Sequence, residues 1–177
     1  QEPMTSLNPV FTIGNQIERV IRRHTRANRQ QAREKARSVM EAVGLPDVER
    51  ILDSYPHQLS GGMQQRVMIA MALSCNPRLL IADEPTTSLD VTIQAQILKL
   101  LRDLQQRFSI SVIIITHNLG VIAQTCDRLA VLYAGRVAES GPTREIFNNP
   151  QHPYTRGLMA AIPRPGRRGQ KMEAIPG

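Results

Sequence analysis

The sequence predicts an α/β chain in which a parallel sheet carries helices on both faces. Two observations support this. Leu79–Ala82 and Val112–Ile115 are short continuous apolar runs, the second β-branched throughout, and such runs suit parallel strands buried on both sides. Stretches with apolar residues at helical spacing alternate with them. Sheets of this kind bind ligands at the carboxyl ends of their strands. The first run ends in Asp83-Glu84, and His117 follows the second.

Composition sets outer bounds. A chain of 177 residues with 41% apolar content is long enough for one real core. No apolar run approaches the length of a membrane span. The net charge of +7 invites nucleic acid, but aromatic residues are 3% and Trp is absent, so stacking platforms are nearly missing. Basic residues gather between Arg19 and Arg37 and from Arg156 to Lys171. The first cluster reads as an ordinary solvated helix face, with anionic lipid head groups as a secondary option. Cys75 and Cys126 lack metal-type spacing. They read as small apolar core residues of a reduced, cytoplasmic protein. The polar start has no signal-peptide pattern. It opens on Gln1 rather than Met, and the chain is expected to be a fragment lacking its N-terminal part.

In order along the chain, Gln1–Pro9 is a loop punctuated by Pro3 and Pro9. Ile13, Ile17, Val20 and Ile21 mark a helix within Phe11–His24. Asn28 caps a second helix reaching about Val43, where Gly44 and Pro46 stop it. Val48, Ile51 and Leu52 indicate a short third helix. Ser60 then caps a helix running from Gly62 to about Ser74. Val67, Ala70, Met71 and Ser74 form its inward stripe, and Arg66, Gln64 and Gln65 lie on other faces. A long helix spans Val91–Phe108, with Ile97, Leu98, Leu101, Leu104 and Phe108 facing the core. Beyond Val112–Ile115 come a helix over Leu119–Thr125 and strands over Leu129–Leu132 and Val137–Glu139. Tyr133–Arg136 turns between those strands. Helices over Thr143–Phe147 and Tyr154–Ala161 follow, and the Pro-, Gly- and Arg-rich end beyond Pro163 is extended or disordered.

The chemistry concentrates in two places. Gly61 and Gly62 leave backbone N–H groups at a helix N-terminus uncovered by side chains, an arrangement that suits a phosphate. Alone, a Ser-Gly-Gly turn is more often only a cap. Asp83 and Glu84 at a strand end can hold Mg²⁺ and polarise water. Alone, such a pair is often just the start of a solvated loop. Occurring together, the two features point to phosphate chemistry.

The motifs resemble those of ATP-binding cassette (ABC) ATPases. Leu59-Ser60-Gly61-Gly62-Met63-Gln64 is similar to their signature loop and Leu79–Glu84 to their Walker B strand. Thr86-Thr87-Ser88-Leu89-Asp90 is similar to their D-loop and Ile115-Thr116-His117 to their switch-histidine segment. Gln1 matches the Q-loop glutamine, in a Glu-Pro-Met-Thr-Ser-Leu-Asn-Pro context resembling the peptide-importer branch. The resemblance implies a P-loop NTPase-like sheet, incomplete at its N-terminal side, with an ABC α-helical subdomain. It divides the chain into Q-loop and helical subdomain (1–57), RecA-like ATPase core (58–148) and an oligopeptide-importer-type extension (149–177).

The resemblance also assigns roles. Glu84 would be the general base and His117 would contact the γ-phosphate. Asp83 and Gln1 would bind Mg²⁺. Ser60, Gly61 and Gly62 would close over ATP held by a second cassette, with Ser88, Asp90 and, more weakly, Gln64 at that interface. Asn118 stands where many relatives have Asp. The implied cofactors are ATP and Mg²⁺. The implied partners are a second ABC ATPase subunit (homo- or heterodimer), transmembrane permease subunits and, indirectly, a solute-binding protein, with no nucleic acid. The implied location is peripheral, on the cytoplasmic face of the inner membrane. Gln151–Arg156 and the final Ile175-Pro176-Gly177 resemble the extension of oligopeptide, dipeptide, nickel and glutathione importer ATPases. No Gly-x-x-x-x-Gly-Lys-Ser/Thr phosphate loop occurs in the chain, so the 177 residues alone are expected to bind ATP poorly and hydrolyse none. Two alternatives stay open: a non-transport ABC ATPase acting on nucleic acid or ribosomes, and a catalytically silent truncated cassette.

Overall fold

The computed structural model describes residues 6–87 and 89–161. It divides into two compact units, 1–115 and 116–177. Gln1, Ser88 and the stretch beyond Pro163, including Ile175-Pro176-Gly177, lie outside the described residues.

The first unit opens with α1 (Ile13–His24), α2 (Arg29–Ala42) and α3 (Val48–Asp53). Thr12 caps α1. Asn28 caps α2 in a reciprocal box: its Oδ1 accepts from the Gln31 N–H at 2.9 Å, and Gln31 Oε1 accepts from the Asn28 N–H at 2.9 Å. Gly44 leaves α2 at φ +70°, the left-handed exit that glycine makes without strain. Ile13, Ile17, Ile21, Ala36, Met40, Ile51 and Leu52 are all essentially fully buried between these helices.

Part of the basic cluster is structural rather than merely solvated. The Arg33 guanidinium reaches Glu18 at 3.3 Å, Glu49 at 3.3 Å and Asp53 at 2.9 Å. Arg37 also pairs with Glu49, and the Arg19 guanidinium lies 5.1 Å from the centre of the Phe11 ring.

At Gly14, α1 packs close against the Leu52 backbone of α3. A Cβ there would lie 2.8 Å from the Leu52 carbonyl oxygen and 2.7 Å from Arg33 Nη1. Ala for Gly inside a helix ordinarily stabilises by ~0.5–1 kcal/mol. Here backbone blocks the methyl, and Gly14→Ala is expected to destabilise by about 1–3 kcal/mol. Urea unfolding followed by circular dichroism measures the sign.

A 3₁₀ turn (Pro56–Gln58) leads into α4 (Gly61–Leu73), then β1 (Leu79–Asp83), α5 (Val91–Phe108) and β2 (Ser111–Ile115). β1 and β2 pair in parallel, Leu79 with Ser111 through Asp83 with Ile115. Leu80, Ala82 and Val112 join one core with Val67, Ala70 and Leu73 of α4 and Ile97, Leu101 and Leu104 of α5. The expected parallel pairing is present, but the strands are not buried on both sides. Leu79, Ile81, Ile113 and Ile115 are 45–59% exposed. The physical reason is alternation: even-numbered residues face α4 and α5, and no described element of this unit covers the odd-numbered face.

The inward stripe of α4 also differs from expectation. Gln64 and Gln65 are buried and Ile69 and Leu73 join the stripe, while Met71 packs against the core as expected and stays partly exposed. Arg66 leaves the core sideways and donates to the Val43 carbonyl at 2.6 Å, closing the C-terminal end of α2.

The second unit holds α6 (Leu119–Thr125), β3 (Arg128–Tyr133), β4 (Arg136–Pro142), α7 (Thr143–Asn148) and α8 (Pro153–Ala160). β3 and β4 form an antiparallel hairpin, closed by Ala134 and Gly135 with both φ positive. The Glu139 carboxylate accepts the Gln151 N–H at 2.9 Å and the His152 N–H at 3.1 Å, tying the approach to α8 onto β4. His152 Nδ1 in turn caps α8 at the Tyr154 N–H, 3.1 Å away. The Tyr133 and Tyr154 rings meet with centres 4.4 Å apart.

The Gln151 N–H, with further donors behind it, holds the Glu139 carboxyl below its ordinary value of 4.5. A depressed folded-state value means the latch contributes fully above pH 4.5 and is lost as pH falls through the lower, folded value. Melting Glu139→Gln beside the unsubstituted protein should show a gap at pH 7 that closes as acidity increases below pH 4.5.

Candidate functional site

The turn before α4 is held from several directions. Ser60 has extended backbone (φ −65°, ψ 158°), and its Oγ accepts from the Met63 N–H at 3.4 Å, as an N-cap does. Gly61 and Gly62 begin the helix, where the first N–H groups have no carbonyl of the same helix to bond. Among the described residues, a Cβ at Gly61 would meet only Leu89 Cδ2, at 3.8 Å. Gly62 is tighter, with Ile93 Cγ2 at 3.0 Å from where its Cβ would stand. The start of α4 therefore lies directly against the start of α5.

Asp90 caps α5. Its Oδ1 accepts from the Thr92 and Ile93 N–H groups, each at 3.0 Å. The candidate interface acid thus also fixes the helix whose Ile93 fills the space beside Gly62. Gln64 does not share the surface of Ser60. It is 6% exposed, and its Nε2 donates to the Pro56 carbonyl at 2.8 Å and the Leu59 carbonyl at 3.2 Å. That amide is committed to its own chain, which corrects the outward placement expected of it.

Asp83 closes β1 beside Ile115, and the Glu84 N–H donates to the Ile115 carbonyl at 2.9 Å. Both acids are partly exposed at the carboxyl end of the parallel pair. Glu84 has φ +47°, a left-handed conformation that side chains other than Gly rarely take. Local strain of this kind costs about 1–3 kcal/mol and persists where surrounding structure imposes it. The Thr87 N–H closes the turn on the Glu84 carbonyl at 3.2 Å, and Thr87 Oγ1 donates to Glu84 Oε2 at 3.0 Å. Thr87 stands in the D-loop-like motif, where the sequence alone assigns it no role. A hydroxyl three residues after an acid, across a Pro, was the available signal.

His117 is exposed at the start of the second unit. Around it, the Asn118 N–H donates to Thr116 Oγ1 at 3.1 Å. Asn118 Oδ1 caps α6 at the Gly120 and Val121 N–H groups, 3.0 and 3.4 Å away. Asn118 thus works as a helix cap. Gln1 and Ser88, also candidates, are outside the described residues.

The donor set bears on which metal would fit. Among the described residues no group of three or more His, Cys, Asp or Glu side chains could hold a metal by itself. Two adjacent carboxylates are hard oxygen donors, the kind that holds Mg²⁺ together with phosphate oxygens and water rather than in an all-protein cage. Asp83 and Glu84 fit that pattern.

Comparison with known proteins places the chain in a family. Residues 2–87 match the ABC transporter family model, and residues 138–177 match the oligopeptide/dipeptide transporter C-terminal region. A putative peptide import ATP-binding protein of Brucella melitensis is 56% identical over 183 aligned residues, covering 100% of this chain and 54% of that protein. The glutathione import ATP-binding protein GsiA of Escherichia coli is 59% identical over 166 residues, 94% of this chain and 27% of that protein. The chain therefore spans about half the length of the first relative and about a quarter of the second.

Among solved structures, the dimeric ATP-binding cassette MJ0796 in a post-hydrolysis state, bound to ADP and phosphate, superposes with a TM-score of 0.66. It is 31% identical and covers 78% of this chain and 59% of that one. The cbiO1 protein of Clostridium perfringens, part of the ABC transporter complex cbiONQ, gives 0.72 at 29% identity, covering 84% of this chain and 57% of that one. The fold is α/β of P-loop NTPase type, and the chain belongs to the ABC transporter family.

Proposed function

We propose that the protein carrying these residues is the ATP-hydrolysing subunit of an importer for peptides or related small solutes. The observation that carries this reading is the Asp83-Glu84 pair at the end of β1, with Glu84 in left-handed backbone and oriented by Thr87. Glu84 takes the proton of the water that attacks the γ-phosphate. Asp83 is the residue that would hold Mg²⁺, with Gln1 as the Q-loop contribution. When bound, that ion neutralises charge on the β- and γ-phosphates. His117 is assigned to the γ-phosphate on its motif alone.

Ser60, Gly61 and Gly62 direct helix N–H groups toward ATP held by a second subunit, identical or related to this one. Ser88 and Asp90 border the same interface. Two halves that complete each other's site close when ATP binds and part after hydrolysis. Through the Q-loop and the helices of residues 13–53, that motion would pass to transmembrane permease subunits at the cytoplasmic face of the membrane. Peptide-type cargo is supported by the match over residues 138–177 and by the two import relatives.

Reconstitution of the full-length protein with its permease subunits in vesicles is the test. ATP-dependent uptake of a labelled oligopeptide or glutathione is expected. ATPase activity that responds to nucleic acid and not to the permease would overturn the reading.

A further inference from the structure

We propose that Gln64 is a positioning residue for the Ser60–Gly62 turn, setting its place without adding to the stability of the fold. The consequence for nucleotide rests on the function proposed above; the geometry does not.

Gln64 grips the approach to the turn on two sides. Its backbone N–H donates to the Ser60 carbonyl at 2.9 Å. Its side-chain Nε2 donates to the carbonyls of Pro56 and Leu59, which bracket the 3₁₀ turn immediately before Ser60. That turn is braced further by the Tyr55 N–H donating to Gln58 Oε1 at 2.7 Å and by the Leu59 N–H donating to the Pro56 carbonyl at 3.1 Å. The Gln64 amide is the one described side chain that ties the turn to the body of α4 through both bracketing carbonyls.

The other end of the same amide argues that the residue is not there for stability. Gln64 Oε1 is buried and finds no partner among the described residues. An unmatched buried acceptor costs about what two neutral hydrogen bonds return. A Met would fill the volume and remove that oxygen while leaving the Leu59 carbonyl without its Gln64 donor, two costs of the same order; the Pro56 carbonyl keeps the Leu59 N–H. What Met cannot supply is a donor that fixes both carbonyls.

The test compares Gln64→Met with the unsubstituted full-length protein, reading melting temperature and the ATP concentration that half-saturates association of two subunits. Gln64→Met should melt within about 2 °C of the unsubstituted protein, or higher. Its half-saturating ATP should rise on the order of ten-fold, the loss expected for one or two neutral hydrogen bonds. Unchanged half-saturating ATP in Gln64→Met, or a melting point lowered by more than about 5 °C, would overturn the inference.

Should the unsubstituted protein show no ATP-dependent association, the functional reading fails and Gln64 is judged on hydrogen exchange alone. Faster exchange at the Gly61–Met63 amides in Gln64→Met, with an unchanged melting point, supports the positioning role. Identical exchange refutes it.

Discussion

Glu84→Gln is expected to lower ATP turnover of the full-length protein by on the order of 10²–10⁴-fold, the usual contribution of a general base. Association driven by ATP should survive or strengthen. The amide keeps the volume, and its carbonyl can still accept from Thr87 Oγ1, so the left-handed turn at φ +47° has no reason to relax. What is lost is the ability to take a proton from water. ATP that is bound and not hydrolysed then holds two subunits together. Single-turnover kinetics beside size-exclusion chromatography with ATP separates the two effects. Equal loss of association and turnover would mean that Glu84 holds structure rather than reacts.

Gly61→Asp should act the other way: association lost, fold kept. Among the described residues only Leu89 Cδ2, at 3.8 Å, comes near the added Cβ, which leaves space for the side chain. An acid in the first turn of α4 favours the helix by about 0.3–1 kcal/mol through its dipole. Melting temperature should therefore hold or rise. The same carboxylate would confront the triphosphate that Ser60–Gly62 is proposed to meet, and a buried like-charge contact costs several kcal/mol. ATP-driven association should weaken on the order of 10²–10³-fold. A variant that associates normally with ATP would show that no anion approaches this helix end.

The residues whose chemistry is local were legible in the sequence. Ser60, Asn28 and Gly44 punctuate helices as short-range rules require, and their caps and exits are present. The acids at the end of β1 follow from an apolar run that stops at a charge. Features that depend on another element's approach were not legible. Gly14 looks like a weak point in a helix until the Leu52 carbonyl is found where its Cβ would be. Gln64 has a polar side chain, so periodicity turned it outward; two carbonyls of the preceding turn hold it inside. Ile81 and Ile113 read as buried because their run is apolar, yet burial also requires a covering layer, and this unit supplies one on a single face. The Thr87 contact depends on the left-handed turn at Glu84, which no short-range rule of sequence predicts.

The central claim is that the α4 turn of one subunit and the acids of the other serve one ATP. Mixing Gly61→Asp with Glu84→Gln tests it most directly. In a shared arrangement each mixed dimer carries both defects at one site and neither at the other. Activity absent from both variants should then reappear, up to about a quarter of the unsubstituted rate if half the dimers are mixed. If turn and acids served the same ATP within one subunit, every site would keep a defect, and a mixture no more active than its components would contradict the account.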